Sequence, residues 1–304
     1  MVTKANVMQA LFTGGLGDFI GSESFMSDKE KDLVTTVLWA TRNREEIKAA
    51  INLKIIFPNM IKEKILFDNF CDERPTRDWQ SGDRFMNIGR KHELNSKCGL
   101  NLLQADLDAI SDHSLDATLE GIFSGQRKFQ SSRIATKIQL PDVSHYNLPA
   151  QYIVIHPWSD AEINGREFNE HDWSSIFKFL ENTNLKGVVV NQSKYIAPPS
   201  DLLIDLTNKT TLKETFSIIK NASSCILCAS SLACFATKLF PIHKIWLKGG
   251  HPHMFSDWAT YFYHGPFTKP TDVIFKDLKI LGQYKVEQRP AQPINLDQGT
   301  ISLL

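Results

Sequence analysis

Between residues 152 and 247 the chain alternates short apolar runs with helical stretches, and this alternation limits the fold more than any single motif does. Tyr152-Ile153-Val154-Ile155, Gly187-Val188-Val189-Val190, Leu202-Leu203-Ile204-Asp205-Leu206, Cys225-Ile226-Leu227-Cys228 and Lys244-Ile245-Trp246-Leu247 read as strands. Glu170 to Leu180, Leu212 to Asn221 and Ser231 to Leu239 read as helices. Strands alternating with helices of about ten residues imply parallel βαβ units, hence an α/β fold.

The first half carries a sparser version of the same pattern. Val7 to Phe12 and Val34 to Ala40 read as strands, as do Lys54-Ile55-Ile56-Phe57 and Lys64-Ile65-Leu66-Phe67. Arg42 to Ile51 reads as a helix, and 68–100 as irregular and polar. A stretch with two prolines and little periodicity, 141–151, reads as a linker. At 304 residues the chain exceeds the usual size of one domain. The expected organisation is two Rossmann-like domains, 1–147 and 148–270, with parallel sheets facing across a cleft. A C-terminal segment, 271–304, is expected to hold a helix over Asp272 to Val286 and to cross back to the first domain.

Lys plus Arg equals Asp plus Glu, at 34 each, so no global field favours nucleic acid or an anionic membrane. No run approaches the roughly 18 uninterrupted apolar residues of a spanning helix. The N-terminal residues lack the apolar core and cleavage site of a signal peptide. The five cysteines, Cys71, Cys98, Cys225, Cys228 and Cys234, form no disulfide framework. A cytoplasmic protein without a membrane span is the expectation.

Four stretches carry candidate chemistry. Gly14-Gly15-Leu16-Gly17-Asp18 follows the first apolar run. Its glycines permit a tight turn and close backbone approach, but it completes neither a dinucleotide fingerprint nor a Walker A loop. Asp18, at the expected mouth of a parallel sheet, is a general-base candidate. His156-Pro157-Trp158-Ser159-Asp160, with Arg166 downstream, offers polar groups and a guanidinium fork suited to phosphate. A capped loop with a surface arginine is the plainer reading. The strand at 225–228 runs through small residues into a helix beginning near Ser230, Ser231 and Leu232, whose free N–H groups suit a diphosphate. Cys225-x-x-Cys228 with Cys234 is a poor metal set, because a strand splays its thiols. Gly249-Gly250-His251-Pro252-His253 and the aromatic run from Trp258 to Phe267 suit either stacking on a base or sugar, or a packed loop.

Taken in order, these pieces resemble the heptosyltransferase-like enzymes of glycosyltransferase family 9, which have the GT-B fold. The resemblance lies in G-G-x-G-D after the first strand, in I-H-P-x-S after the first strand of the second half, and in LTNKTTLKETFSIIKNAS from Leu206 to Ser223. It implies transfer of a sugar from a nucleotide-diphosphate donor held by the second half, without a bound metal or other cofactor. It also implies that Asp18 deprotonates the acceptor hydroxyl, beside the turn of Gly14, Gly15 and Gly17. His156, Ser159, Arg166, Ser230, Ser231 and Leu232 would then serve the donor. The acceptor would be a saccharide or glycolipid. Departures are clear: the family's D-[ST]-G-x-x-H stands here as Ala229-Ser230-Ser231-Leu232-Ala233-Cys234, and 21–33 is of mixed charge where an apolar helix is usual. Two rival expectations stand beside this one: a phage-type transferase acting on modified DNA bases, and a non-catalytic nucleotide- or sugar-binding protein on the same fold.

Overall fold

The computed structural model describes residues 8–13, 16–23, 26–40, 48, 51–65, 84–88, 111–112, 133–159, 167–191, 195–239, 245–248 and 273–275. Two parallel sheets organise them. The first is built from β1 (Met8–Thr13), β2 (Val34–Ala40), β3 (Lys62–Ile65), β4 (Arg84–Ile88) and β5 (Ser111–Asp112). Its spatial order is β3-β2-β1-β4-β5. Helices α1 (Leu16–Glu23), α2 (Asp28–Leu33), α3 (Leu53–Ile56) and α4 (Arg133–Lys137) accompany it.

The second sheet contains β6 (Tyr152–His156), β7 (Lys186–Val189), β8 (Leu203–Asp205), β9 (Ser224–Cys228), β10 (Ile245–Lys248) and β11 (Val273–Phe275). They lie in the order β11-β10-β9-β6-β7-β8. Helices α5 (Glu170–Thr183), α6 (Leu212–Lys220) and α7 (Ser231–Leu239) connect them. Both sheets therefore wind outward in two directions from a central pair, β1 with β4 and β6 with β9. In such sheets the crevice at the C-terminal ends of that central pair is where ligands bind.

Local sequence explains the second sheet well. All five residues of β6 and of β9 are buried, as expected of central strands covered on both faces. Capping boxes start the helices: Asn169 with Asp172 at α5, and Thr211 with Glu214 at α6. At Gly187 a β-carbon would lie 2.5 Å from Ile155 Cδ1 and 2.9 Å from Leu203 Cδ2, so any larger residue would have to displace those methyls. The 141–151 stretch runs against the second sheet's helices. Ser217 Oγ donates to the Pro141 carbonyl (2.7 Å), the Tyr146 hydroxyl donates to the Lys209 carbonyl (2.8 Å), and Val143 is buried.

Three expectations from the first half and the C-terminus need correction. Lys54 to Phe57 is not a strand: Asn52 Oδ1 accepts the Lys54 N–H at 3.1 Å and starts the helical turn α3. The supposedly irregular 68–100 contains β4, paired in parallel with β1. The expected helix from Asp272 opens instead on β11, paired with β10. Most of the expected helix at 42–51, the aromatic run after Gly249 and the C-terminal tail lie outside the described residues.

The mixed-charge stretch 21–33 encloses a buried ion cluster. Lys31 Nζ and Glu23 Oε1 are 2.8 Å apart, and both side chains are fully buried. Glu23 Oε1 also accepts the Arg133 backbone N–H at 2.9 Å. The Arg133 guanidinium reaches Asp28 Oδ1 (2.9 Å), Asp32 Oδ1 (2.8 Å) and the Ile56 carbonyl (2.9 Å). One arginine thus ties α1, α2, α3 and α4 together.

Breaking a buried pair strands a charge, whereas removing both partners does not. Lys31→Met is expected to lower unfolding stability in urea by about 3–5 kcal/mol. Lys31→Met combined with Glu23→Leu is expected to lose less than the single change, and an equal or larger loss would contradict this account.

Candidate functional site

The central pair of the second sheet supplies the candidate site. Its parallel register sets His156 opposite Leu227. Each strand then runs on by the same three positions to a serine, Ser159 after β6 and Ser230 after β9. Both hydroxyl oxygens are buried and have no hydrogen-bond partner among the described residues. A buried hydroxyl without a partner is costly, by about 1–3 kcal/mol. Two of them at matching positions on neighbouring strand ends make this edge the candidate site.

Ser231 and Leu232 open α7, so the free N–H groups of that helix begin immediately beyond Ser230. Leu232 itself is buried. The N-terminus of α1 lies against the same turn. A β-carbon at Gly17 would stand 3.2 Å from Ser231 Cα and 3.2 Å from Cys234 Sγ, so the absence of a side chain there lets the first turns of α1 and α7 touch. The positive ends of two helix dipoles are thereby brought together. Asp18 follows Gly17 within α1. Gly14, Gly15 and Arg166 lie outside the described residues.

His156 ends β6 and is buried. Its Nδ1 lies 2.9 Å from the Val190 carbonyl, which can only accept. The ring therefore carries its hydrogen on Nδ1 and keeps Nε2 as an acceptor. Burial pushes the imidazole's pKa down to about 4, against a smaller upward pull from that hydrogen bond, so the ring is neutral at pH 7.

The sequence reading passed over Lys248 and Asp172. Lys248 is the last residue of β10, and its ammonium bonds the Asp172 carboxylate and, at 2.6 Å, the Glu167 carbonyl. Asp172 also accepts the Asn169 N–H at 2.8 Å in the cap of α5. Around them, Phe168 N–H donates to the Pro157 carbonyl at 3.0 Å and Trp158 Nε1 donates to Glu167 Oε1 at 2.7 Å. The chain is thus pinched on both sides of the segment that contains Arg166. Asn191, buried two residues beyond β7, accepts the Asn208 N–H through its backbone carbonyl at 2.7 Å. Lys248 was legible only as a cation ending a strand, and Asp172 only as a capping residue three positions after Asn169.

Among the described residues, no group of three or more His, Cys, Asp or Glu is placed to hold a metal ion. Cys225, Cys228 and Cys234 are buried, and none of them forms a disulfide. No helix among the described residues is long and apolar enough to cross a membrane.

Solved structures share this fold. The chain superposes on a family 9 glycosyl transferase from Veillonella parvula DSM 2008 with a TM-score of 0.50 and 11% identity, over 91% of this chain and 87% of that one. It superposes on TibC, a dodecameric iron-containing heptosyltransferase in complex with ADP-D-beta-D-heptose, with a TM-score of 0.50 and 14% identity, over 90% of this chain and 62% of that one. The fold is that of the family 9 glycosyltransferases. The GT-B resemblance read from the sequence is therefore present in the backbone. A second structure of TibC, from enterotoxigenic E. coli H10407, is matched over 80% of this chain and 57% of its own, at a TM-score of 0.47 and 14% identity. The chain thus spans 57–62% of the length of TibC. No protein-family model and no curated protein sequence matches the chain.

The pH dependence of stability tests the environment of His156. Its folded pKa of about 4 lies below the ordinary 6.5, so the unfolded chain binds more protons between those values. The contribution is intact above pH 6.5 and is lost as pH falls through the folded pKa, by about 3 kcal/mol in all. Urea melts across that window are expected to show the loss in wild type and a flatter profile in His156→Gln.

Proposed function

We propose that the chain is a glycosyltransferase that binds a nucleotide-diphosphate sugar at the C-terminal edge of the second sheet and moves the sugar to an acceptor hydroxyl. The observation that carries the reading is the pair of buried hydroxyls of Ser159 and Ser230, without a hydrogen-bond partner among the described residues and at matching positions beyond paired strands, near the N-terminus of α7. An anionic phosphate satisfies hydroxyl donors and is favoured by the positive end of the helix. The neighbouring fold is one in which a heptosyltransferase is seen in complex with an ADP-linked heptose.

In this reading Ser159, Ser230 and the first amides of α7, at Ser231 and Leu232, hold the diphosphate, with the guanidinium of Arg166 as a further partner. The neutral His156 accepts a hydrogen bond from the donor through Nε2. Asp18 serves as base beside the turn of Gly14, Gly15 and Gly17. The acceptor oxygen gives its proton to the Asp18 carboxylate as it attacks the anomeric carbon. The bond from that carbon to the diphosphate oxygen breaks, and its electron pair leaves on the phosphate. Attack opposite the leaving group inverts the anomeric centre. The helix N-terminus and the cationic side chains neutralise the departing charge without a metal. A saccharide or glycolipid supplies the hydroxyl.

One observation favours a second reading, a nucleotide- or sugar-binding protein without catalysis. Ala229 and Cys234, where the family's pattern has an acid and a histidine, are fully or almost fully buried in the apolar core. The same ligand would then bind without being turned over.

Thermal-shift titration with UDP-, GDP-, ADP- and CMP-linked sugars tests the binding. A true donor at a hundred times its dissociation constant stabilises the fold by about 2.7 kcal/mol. Stabilisation by none of them would overturn the reading. Where a donor is found, Asp18→Asn is expected to lower turnover by about 10²–10⁴-fold while leaving donor affinity unchanged. No turnover in wild type with intact binding would favour the second reading.

A further inference from the structure

We propose that Lys248 is an additional anion-binding residue of this site, giving an N–H of its ammonium to the phosphate of the bound nucleotide. This rests on the nucleotide reading above. Lys248 pairs with Cys228 in the β9–β10 register, and its carbonyl accepts the Ala229 N–H at 2.9 Å. It therefore lies at the strand end next to the turn that carries Ser230, on the C-terminal edge of the sheet where the two unpartnered hydroxyls are.

The state of its ammonium makes the assignment. The side chain is 16% exposed, so most of it is out of water. It donates once to the Asp172 carboxylate and once to the Glu167 carbonyl, and lies 6.0 Å from the centroid of the Phe168 ring. An ammonium carries three hydrogens, and among the described residues these two bonds leave the third to be used. Asp172 is itself fixed by the Asn169 N–H and by its place in the first turn of α5, so the cation is held in position by groups within the chain. A largely buried cation with one hydrogen left over among the described residues, on the same sheet edge as the hydroxyls of Ser159 and Ser230, is what a phosphate needs. The residue that the related pattern loses at Cys234 is replaced in function, on this account, by a cation from the adjacent strand.

Calorimetric titration of the full chain with ADP, UDP, GDP, inorganic pyrophosphate and adenosine tests the proposal. Pyrophosphate carries the shared anionic chemistry without a base, and adenosine the base without the anion. Lys248→Met and Lys248→Gln are expected to weaken pyrophosphate and nucleotide binding by roughly tenfold or more, as for a lost hydrogen bond to a charged group, with adenosine unaffected. Lys248→Arg is expected to retain most of the affinity. Asp172→Asn separates ligand contact from a purely structural clamp. It leaves the lysine in place with less competition for its hydrogens, and is expected to bind pyrophosphate at least as well as wild type. Equal binding by wild type and the folded neutral variants would overturn the role of Lys248 while leaving the nucleotide reading intact. A loss in Asp172→Asn as large as in Lys248→Met would reduce Lys248 to a clamp and overturn the direct contact. Binding of neither pyrophosphate nor any nucleotide by wild type would overturn both readings.

Discussion

The contact at Gly17 is the joint on which the rest of the structure depends. Helix α1 leaves the central strand of the first sheet and α7 leaves a central strand of the second, and their first turns meet where Gly17 faces Ser231 and Cys234. A β-carbon there would stand 3.2 Å from a backbone carbon that cannot rotate away. Around the joint the apolar core is continuous: Phe19 and Ile20 of α1 share one buried cluster with Phe235 and Ala236 of α7. The same contact brings two partial positive charges together, a repulsion that an anion beside them converts into attraction.

The other end of α1 is held by a different force. Glu23, fully buried in its last turn, is a carboxylate at the negative end of a helix, which the dipole disfavours. Lys31 and the Arg133 N–H offset that, and Arg133 extends the network to Asp28, Asp32 and the Ile56 carbonyl. Helix α1 is thus fixed by close packing at Gly17 and by buried charge at Glu23. The backbone position of Asp18 between them is determined by both. The mixed charge of residues 21–33, odd for a core helix, is what this second anchor requires.

The second sheet was largely legible because its signals are local. β6 and β9 are short apolar runs, and Thr211 with Glu214 or Asn169 with Asp172 announce their helices within four residues. The first sheet was less so. β4, Arg-Phe-Met-Asn-Ile, has one β-branched residue and is a strand because β1 pairs with it. Ile55 and Ile56 suggest a strand, but Asn52 caps the turn first. At the site, Ser159, Ser230 and His156 were readable one by one. Their alignment was not, since it is set by pairing between strands some seventy residues apart. Lys248 was legible only as a cation at a strand end, because its partners, Asp172 and Glu167, are distant in sequence.

Two of the departures from the nucleotide-facing pattern of family 9 lie at the joint at Gly17. Where that pattern has glycine and histidine, this chain has Ser231 and Cys234, and these are the two residues that Gly17 meets. Cys234 is 1% exposed and its thiol fills the space beside the glycine. An imidazole is larger, and at that position it would have to displace α1 or turn away from it. Small groups on both helices therefore belong together: the glycine admits the thiol, and the thiol admits the close crossing. With position 234 given over to packing, the polar side chains at this edge of the sheet stand on neighbouring strand ends, Ser159 after β6, Ser230 after β9 and Lys248 at the end of β10.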